Sequence, residues 1–299
     1  MHRGKGGVRL STTNPIFRAR RLDRIFKRRG WVVVSAWDPQ VPGRLAELHE
    51  RRGDTGAQGY HVTSTSDDLD FRRAVVEEIE QSLAPAISEL LVDYEPYTAA
   101  LVVKEADGDS TVFAHQDGTC NDEDGRPGVV AWIPVTPLDA QAGYLRGLWG
   151  SHRYTPGIRS TPPTTAPFED VRDELLVDEM PPIVIRLGQA LLFDSRLVHG
   201  SEPNRSGLLR LAGYLRFHPV GVTARNYWWD KETNMVHGYE VDRDFFLTHV
   251  WNREPDRASF TSFVPDEPRQ LTISDLRRLR RRSRFMPMRW DRRADRNVG

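Results

Sequence analysis

The sequence predicts a mainly β fold, an antiparallel sandwich or barrel with helices ahead of it. From residue 99 to residue 217, short apolar runs alternate with turn residues, which is typical of short antiparallel strands. Ahead of them, apolar residues recur every three or four positions from residue 70 to residue 91, which predicts a long amphipathic helix. The 299 residues, 38% of them hydrophobic, can bury the core of one large domain.

The elements are expected in a simple order within a single domain, 1–299. A mobile tail, 1–13, precedes N-terminal helices and a first strand in 14–98, a β core in 99–220, and an aromatic-rich, basic extension in 221–299. The N-terminal part carries predicted helices at 14–30 and 38–52 around a β-rich run at 31–36. The candidate strands of the core are residues 99–104, 110–114, 128–134, 144–148, 183–186, 190–193 and 208–217.

Three connecting segments carry local signals. Asp107-Gly108 predicts a hairpin between the first two core strands. Residues 157–178 are proline-rich and long for an inert connection, so either a lid over the active site or a passive insertion fits them. The aromatic segments around Trp228 and Trp251 are expected to pack over one mouth of the barrel.

Composition excludes several classes of protein. The single cysteine, Cys120, excludes an internal disulfide framework and a multi-cysteine zinc site. No apolar run reaches the length of about 18 residues that a membrane span needs. The basic N-terminus lacks a following apolar region, so we expect no secretory signal and a reducing cytoplasmic location.

The net charge of +0 hides an uneven distribution. Residues 1–30 carry ten Lys or Arg against Asp23, and residues 271–299 carry ten Arg against three Asp. Basic ends can mark a nucleic-acid partner, but these arginines lack the interleaved aromatics of a base-stacking surface. With 38 arginines and only four lysines in the chain, a compositional bias explains them better. No candidate site residue lies in 271–299, so removing that segment is expected to leave turnover largely intact.

A metal-binding arrangement is suggested by His115-Gln116-Asp117 and His199. In an extended segment residues i and i+2 point to the same face, so His115 and Asp117 can bind one ion together. A third ligand, His199, would complete the two-histidine, one-carboxylate triad of non-haem Fe(II) oxygenases. Arg210, eleven residues beyond His199 and on the next predicted strand, could anchor a carboxylate in the same cavity.

The central part of the chain resembles the phytanoyl-CoA dioxygenase-like branch of the Fe(II)/2-oxoglutarate oxygenases. Besides the residues above, the resemblance rests on Trp132-Ile133-Pro134, Gly143, Gly150-Ser151-His152-Arg153, Gly188 with Leu191-Leu192-Phe193, His199-Gly200-Ser201 and Asn204-Arg205-Ser206. Residues 29–34, Arg-Gly-Trp-Val-Val-Val, resemble the opening strand of that family. The resemblance implies a mainly β fold with α, a double-stranded β-helix (jelly-roll, cupin-like) core with N-terminal supporting helices.

The resemblance also implies roles for individual residues. Iron would be held by His115, Asp117 and His199. The distal carboxylate of 2-oxoglutarate would bind Arg210, supported by Ser201, with Trp132 packing beside the cosubstrate. The chain departs from the family at Lys104, which is followed by Glu-Ala-Asp-Gly instead of the frequent Pro-Pro-Gly, so the family pattern assigns Lys104 no role.

The implied cofactors are Fe(II), 2-oxoglutarate as cosubstrate, and O2. The implied reaction oxidises an unactivated C–H bond of a small molecule, expected to be a specialised metabolite, and releases succinate and CO2. Hydroxylation is expected, with desaturation or ring formation as related outcomes. Related halogenases carry a small residue where this chain has Asp117, which argues against halogenation. His152, Trp228 and Trp229 are candidate substrate contacts, although structural roles fit them equally well or better.

Two other readings remain open at this stage. The triad could hold an ion in a non-catalytic metal-binding barrel, but a pure metal holder has no need of Arg210 and Ser201. The enzyme could also be an oxygenase that acts on nucleic acid through its basic ends.

Two other arginines, Arg205 and Arg216, compete with Arg210 as the anchor of the 2-oxoglutarate carboxylate. Arg216 would share the face of Arg210 in a regular strand.

Overall fold

The structure, a computed structural model, describes residues 14–35, 38, 40–52, 58–106, 110–121, 123, 126–154 and 157–283. The helices are α1 Arg20–Arg29, α2 Val41–Arg51, α3 Leu69–Ser88, α4 Arg172–Glu174, α5 Arg243–Thr248 and α6 Ile273–Ser283. The strands are β1 Trp31–Ser35, β2 Tyr60–Val62, β3 Tyr94–Lys104, β4 Val112–His115, β5 Val129–Pro134, β6 Leu145–Gly147, β7 Gln189–Asp194, β8 His199–Ser201, β9 Arg210–Pro219, β10 Ala224–Asp230, β11 Met235–Val241 and β12 Thr261–Phe263. None of these helices is long and apolar enough to cross a membrane.

Two antiparallel sheets build the core. The large sheet has six strands in the order β1-β7-β5-β9-β3-β2, and the small sheet has three in the order β4-β8-β6. An apolar cluster joins their inner faces, with Trp132 and Phe193 from the large sheet and Leu145 from the small one. The strands β10, β11 and β12 form a separate three-stranded sheet. The predicted jelly-roll architecture with N-terminal helices is confirmed.

The outer face of the large sheet is covered by the N-terminal helices. Along α3, Val75, Ile79 and Leu83 recur at helical spacing and are fully buried against the sheet. Strand β9 shows the matching two-residue alternation, because Leu211 and Leu215 join this outer core. The alternate side chains of β9 therefore point into the space between the two sheets.

Most predicted strands are confirmed, and two local predictions differ from the structure. The hairpin at Asp107-Gly108 is wrong, since β3 pairs with β9 and β2 while β4 pairs with β8 in the other sheet. Residues 107–109 themselves lie outside the described residues. The strand predicted at residues 183–186 is not formed, although the burial of these residues alternates as in a strand. The preceding residue, Pro182, forms an isolated bridge with Arg146 and has no N–H group that could extend the pairing.

The strands β2, β10, β11 and β12 are not among the strands that the sequence predicted. Each of β2 and β12 has only three residues, too few to show a period.

The later half of residues 157–178 covers the outer face of the small sheet. Phe168, Leu175 and Leu176 are buried against Ala114 of β4. The helix α6 completes this cluster through Ile273 and Leu276. Removing residues 271–299 would therefore expose a core that supports β4 and β8. Contrary to the expectation from the sequence, we expect that deletion to destabilise the small sheet.

Leu276 tests this role of α6. Its side chain is 2% exposed, so Leu276→Ala should lower the free energy of unfolding by about 2–5 kcal/mol through lost burial and the cavity left behind. Arg281→Ala, an exposed position on the same helix, is the matched control and should change stability by less than about 0.5 kcal/mol. Chemical denaturation of both variants measures the difference. Equal stability of the two variants would show that α6 is not part of the core.

Candidate active site

The three proposed ligand residues meet at one end of the small sheet. His115 ends β4 and His199 begins β8, and the two are direct partners in the antiparallel pairing. Their ring centroids are 4.3 Å apart. Asp117 follows two residues after His115, and one ligand atom from each of the three side chains lies within 4.8 Å of the others. The residues that the sequence paired by spacing are thus brought together by the sheet register.

Backbone carbonyls orient both imidazoles. Nδ1 of His115 lies 2.9 Å from the carbonyl oxygen of Phe113, and Nδ1 of His199 lies 2.9 Å from that of Leu197. A carbonyl only accepts hydrogen bonds, so each Nδ1 carries the proton and each Nε2 keeps a free lone pair. Burial and the neighbouring His115 lower the pKa of His199 to about 4, which keeps this imidazole neutral near neutral pH. Neutral imidazole is the form that binds a metal.

Asp117 presents one satisfied and one unsatisfied oxygen. Its Oδ1 accepts a hydrogen bond of 2.8 Å from Nη2 of Arg216, whereas the buried Oδ2 has no partner among the described residues. Burial alone would raise the pKa of this carboxyl, but the guanidinium of Arg216 holds it below its usual value. The site therefore offers two imidazole nitrogens and one carboxylate oxygen without a hydrogen-bond donor among the described residues.

The loop that carries Asp117 is held by residues that the sequence did not single out. Arg159 donates from Nε to the backbone carbonyl of Asp117 at 2.7 Å and forms a two-pronged pair with the buried Glu123. Ser195, which directly follows β7, donates from its hydroxyl to the same Glu123. Arg159 is 42 residues from Asp117 in the chain, and no local pattern marks such a contact. The early part of residues 157–178 is thus tied to the metal-site loop.

Arg210 lies in the interior without an acidic partner. It is 3% exposed, its Nη1 lies 3.5 Å from Oγ of Ser201, and its guanidinium stands 5.4 Å from the ring centre of Trp132. The Nε has no hydrogen-bond partner among the described residues, and no ion pair joins Arg210 to a described carboxylate. Burial lowers its pKa to about 10, so it remains a cation. The three residues proposed to bind 2-oxoglutarate are therefore neighbours around an unpaired positive charge.

The competing arginine is occupied elsewhere. Arg216 shares the inner face of β9 with Arg210 but pairs with Asp117. Its guanidinium also lies 5.8 Å from the ring of Trp251, which belongs to the C-terminal extension. Cys120 is buried close by, with Sγ 3.7 Å from Nη1 of Arg216. Trp251 of the C-terminal extension therefore packs beside Arg216 in this half of the interior.

The three candidate substrate contacts are placed differently from one another. His152 packs against the end of α1, with Nε2 3.2 Å from the carbonyl of Lys27. Trp229 donates to Oδ1 of Asn234 in the β10–β11 hairpin. Trp228 packs against the cluster that contains Cys120, three residues beyond Asp117. Trp228 thus remains a candidate, while His152 and Trp229 have structural partners.

Comparison with known proteins identifies the family. The sequence profile named phytanoyl-CoA dioxygenase matches residues 40–212, more than half of the chain. The chain belongs to the phytanoyl-CoA dioxygenase family. Together with the His115, Asp117 and His199 cluster, this membership makes it a 2-oxoglutarate-dependent non-haem iron enzyme. No curated protein sequence matches it significantly.

Solved structures agree with this fold. The carbocyclase SnoK from nogalamycin biosynthesis, described as non-haem and α-ketoglutarate dependent, has 18% identity, a TM-score of 0.50, and covers 72% of this chain and 90% of its own. HygX from Streptomyces hygroscopicus, solved with nickel, 2-oxoglutarate and hygromycin B, has 16% identity, a TM-score of 0.47, and covers 68% and 88%. The epimerase SnoN has 18% identity, a TM-score of 0.48, and covers 68% and 84%. The likeness to SnoK supports the fold of this dioxygenase family member.

The residues present fit ferrous iron. Two imidazoles and a carboxylate on one side of an ion leave three positions open, which suits a bidentate 2-oxo acid and O2. Oδ2 of Asp117, which has no hydrogen-bond partner among the described residues, is available as the carboxylate ligand.

Proposed function

We propose that this enzyme hydroxylates an unactivated C–H bond of a small molecule. In this proposal His115, Asp117 and His199 hold Fe(II), while Arg210 and Ser201 bind the distal carboxylate of 2-oxoglutarate. The observation that carries it is the buried Arg210, which forms no ion pair with a described carboxylate and lies in the same interior as Asp117 and its two neighbouring imidazoles. A buried cation without a partner is costly unless a ligand supplies the anion.

Iron and the protein side chains have separate roles in this proposal. When bound, iron with 2-oxoglutarate and O2 supplies the oxidising chemistry, in which 2-oxoglutarate becomes succinate and CO2. Arg210 offers a planar fork that fixes the cosubstrate carboxylate, and Trp132 packs beside that guanidinium. Asp117 occupies the ligand position that halogenases leave to a halide, which favours hydroxylation, or desaturation or ring formation, over halogenation.

The proposed substrate is a small molecule, and we place it among specialised metabolites. His199 is 7% exposed and Asp117 has an 11% exposed side chain, so access to the ligand atoms is narrow. A narrow approach suits a compact molecule better than a rigid macromolecule. The carbocyclase SnoK, which shares the fold, comes from nogalamycin biosynthesis and suggests a first panel of nogalamycin precursors.

Succinate formation tests the proposal. Purified enzyme with Fe(II), ascorbate and 2-oxoglutarate should release succinate above background when a substrate from the panel is added. Mass spectrometry of the product should show one added oxygen atom for hydroxylation, or loss of two hydrogens for desaturation or ring formation. If the protein binds Fe(II) but neither binds nor consumes 2-oxoglutarate, it is a metal-holding barrel and the proposal fails.

A further inference from the structure

Two buried basic side chains face each other across β3 and β9. Lys104 is the last residue of β3 and Arg210 the first of β9, and they are direct partners in the antiparallel register. Directly opposite residues in such a pair place their side chains on one face, with Cβ atoms about 5 Å apart. Lys104 is 0% exposed and Arg210 is 3% exposed. When both are charged they destabilise the sheet, because like charges directly opposite each other repel.

No acidic side chain compensates this pair among the described residues. Nζ of Lys104 donates to two backbone carbonyls, those of Ser201 at 3.3 Å and Glu202 at 2.6 Å. The carboxylate of Glu202 is engaged with Arg146 at 2.8 Å. Arg210 contacts Oγ of the same Ser201. The two basic side chains thus converge on Ser201, where the distal end of the cosubstrate is proposed to bind.

We propose that Lys104 is a second cationic contact for the distal carboxylate of 2-oxoglutarate, so that Lys104 and Arg210 bind it together. This inference rests on the proposed role of Arg210. It assigns a role to the residue at which the chain departs from the family pattern. A carboxylate between the two side chains would allow both to be charged, in a three-member network with one net positive charge.

The hydrogen-bond count at Lys104 leaves room for that carboxylate. An ammonium group has three N–H donors, and the carbonyls of Ser201 and Glu202 take two of them. The third is free for a ligand. A neutral amine has only two donors, which the same carbonyls satisfy in the empty site.

The charge of Lys104 should depend on the ligand. Burial and the guanidinium of Arg210 lower the pKa of Lys104 to about 6, against the opposing effect of Glu202. The phenol of Tyr60, the partner of Lys104 on β2, is the other titratable group that faces it. Lys104 is thus mostly neutral at pH 7.5 in the empty site. A bound carboxylate raises its pKa, so binding should take up close to one proton, and affinity should rise as pH falls from 8 towards 6.

Calorimetry on the Fe(II)-loaded enzyme, without O2, tests this inference with N-oxalylglycine, an isostere of 2-oxoglutarate that is not turned over. Lys104→Met should weaken binding by roughly tenfold or more at pH 6.5, the scale of one charged hydrogen bond, and by less at pH 8. Titrations in buffers with different ionisation enthalpies should show proton uptake by the wild type near pH 7.5 and markedly less by Lys104→Met. Lys231→Met, at an exposed hairpin position, is the matched control and should behave as wild type.

Two further measurements keep the outcomes separate. Pyruvate, which lacks the distal carboxylate, should bind wild type and Lys104→Met equally. The melting temperature of ligand-free Lys104→Met should equal or exceed that of the wild type, because the substitution removes a buried basic group. If Lys104→Met does not fold, Lys104→Gln takes its place. Wild-type affinity and proton uptake in the Lys104 variant would overturn the inference. Wild-type enzyme that binds no N-oxalylglycine at all would instead overturn the placement of the cosubstrate at Arg210.

Discussion

Replacing His199 by alanine should abolish 2-oxoglutarate turnover and weaken Fe(II) binding by more than about 100-fold, and His115→Ala should do the same. Loss of an outer-shell partner alone typically costs 10–100-fold in metal affinity, so loss of a ligand should exceed that range. His199 is also one of two imidazoles within 4.8 Å of the Asp117 carboxylate, so one nitrogen and one carboxylate would remain. Two protein ligands define the coordination geometry of the ion poorly. The coordination positions left for 2-oxoglutarate and O2 would therefore no longer be fixed.

Anaerobic metal titration and succinate release measure the two effects separately. His237→Ala is the matched control, because its imidazole lies on β11 and contacts Ser262 at 2.7 Å, outside the cluster. That variant should keep wild-type metal affinity and turnover. If His199→Ala or His115→Ala retained both properties, the proposed triad would be misassigned.

Arg210→Ala should raise the 2-oxoglutarate concentration needed for half-maximal turnover by roughly ten- to a few-hundredfold, with little change in Fe(II) affinity. A hydrogen bond to a charged group contributes about 1.5–3 kcal/mol, and a two-pronged pair contributes more. Arg210 contacts Ser201 and Trp132 but none of the three ligand side chains. Arg210→Lys should recover only part of the loss, because an ammonium lacks the planar fork.

Arg216→Ala should show the reverse pattern and serves as the matched comparison. Arg216 donates to Oδ1 of Asp117 at 2.8 Å, which fixes the carboxylate close to the two imidazoles. Without that contact the carboxylate can rotate, so Fe(II) affinity should fall by about 10–100-fold. The 2-oxoglutarate requirement at saturating Fe(II) should change much less. If Arg216→Ala lost 2-oxoglutarate affinity while Arg210→Ala titrated as wild type, the cosubstrate anchor would be Arg216.

Arg210 and Arg216 show what the alternation of side chains along a strand can predict and what it cannot. Their even spacing on β9 predicts one shared face, and both side chains do lie in the interior. Alternation cannot say which charge meets which partner, because the partners come from other strands and loops. The structure pairs Arg216 with Asp117 and leaves Arg210 beside Ser201. The same limit explains the wrong hairpin at Asp107-Gly108, where a local turn signal was read as strand pairing.

The sequence by itself determined the family, the jelly-roll core with its N-terminal helices, and the candidate ligands His115, Asp117 and His199. The resemblance to a known family implied the family and the jelly-roll core. Residue type and short-range period predicted only a sandwich or barrel with helices ahead of it, and placed His115 and Asp117 on one face. Only the tertiary structure decided that β3 pairs with β9, which sets Lys104 opposite Arg210. It also decided that Arg159 and Glu123 brace the loop of Asp117. Those contacts join residues tens of positions apart, and sheet register and burial, not local propensity, select them.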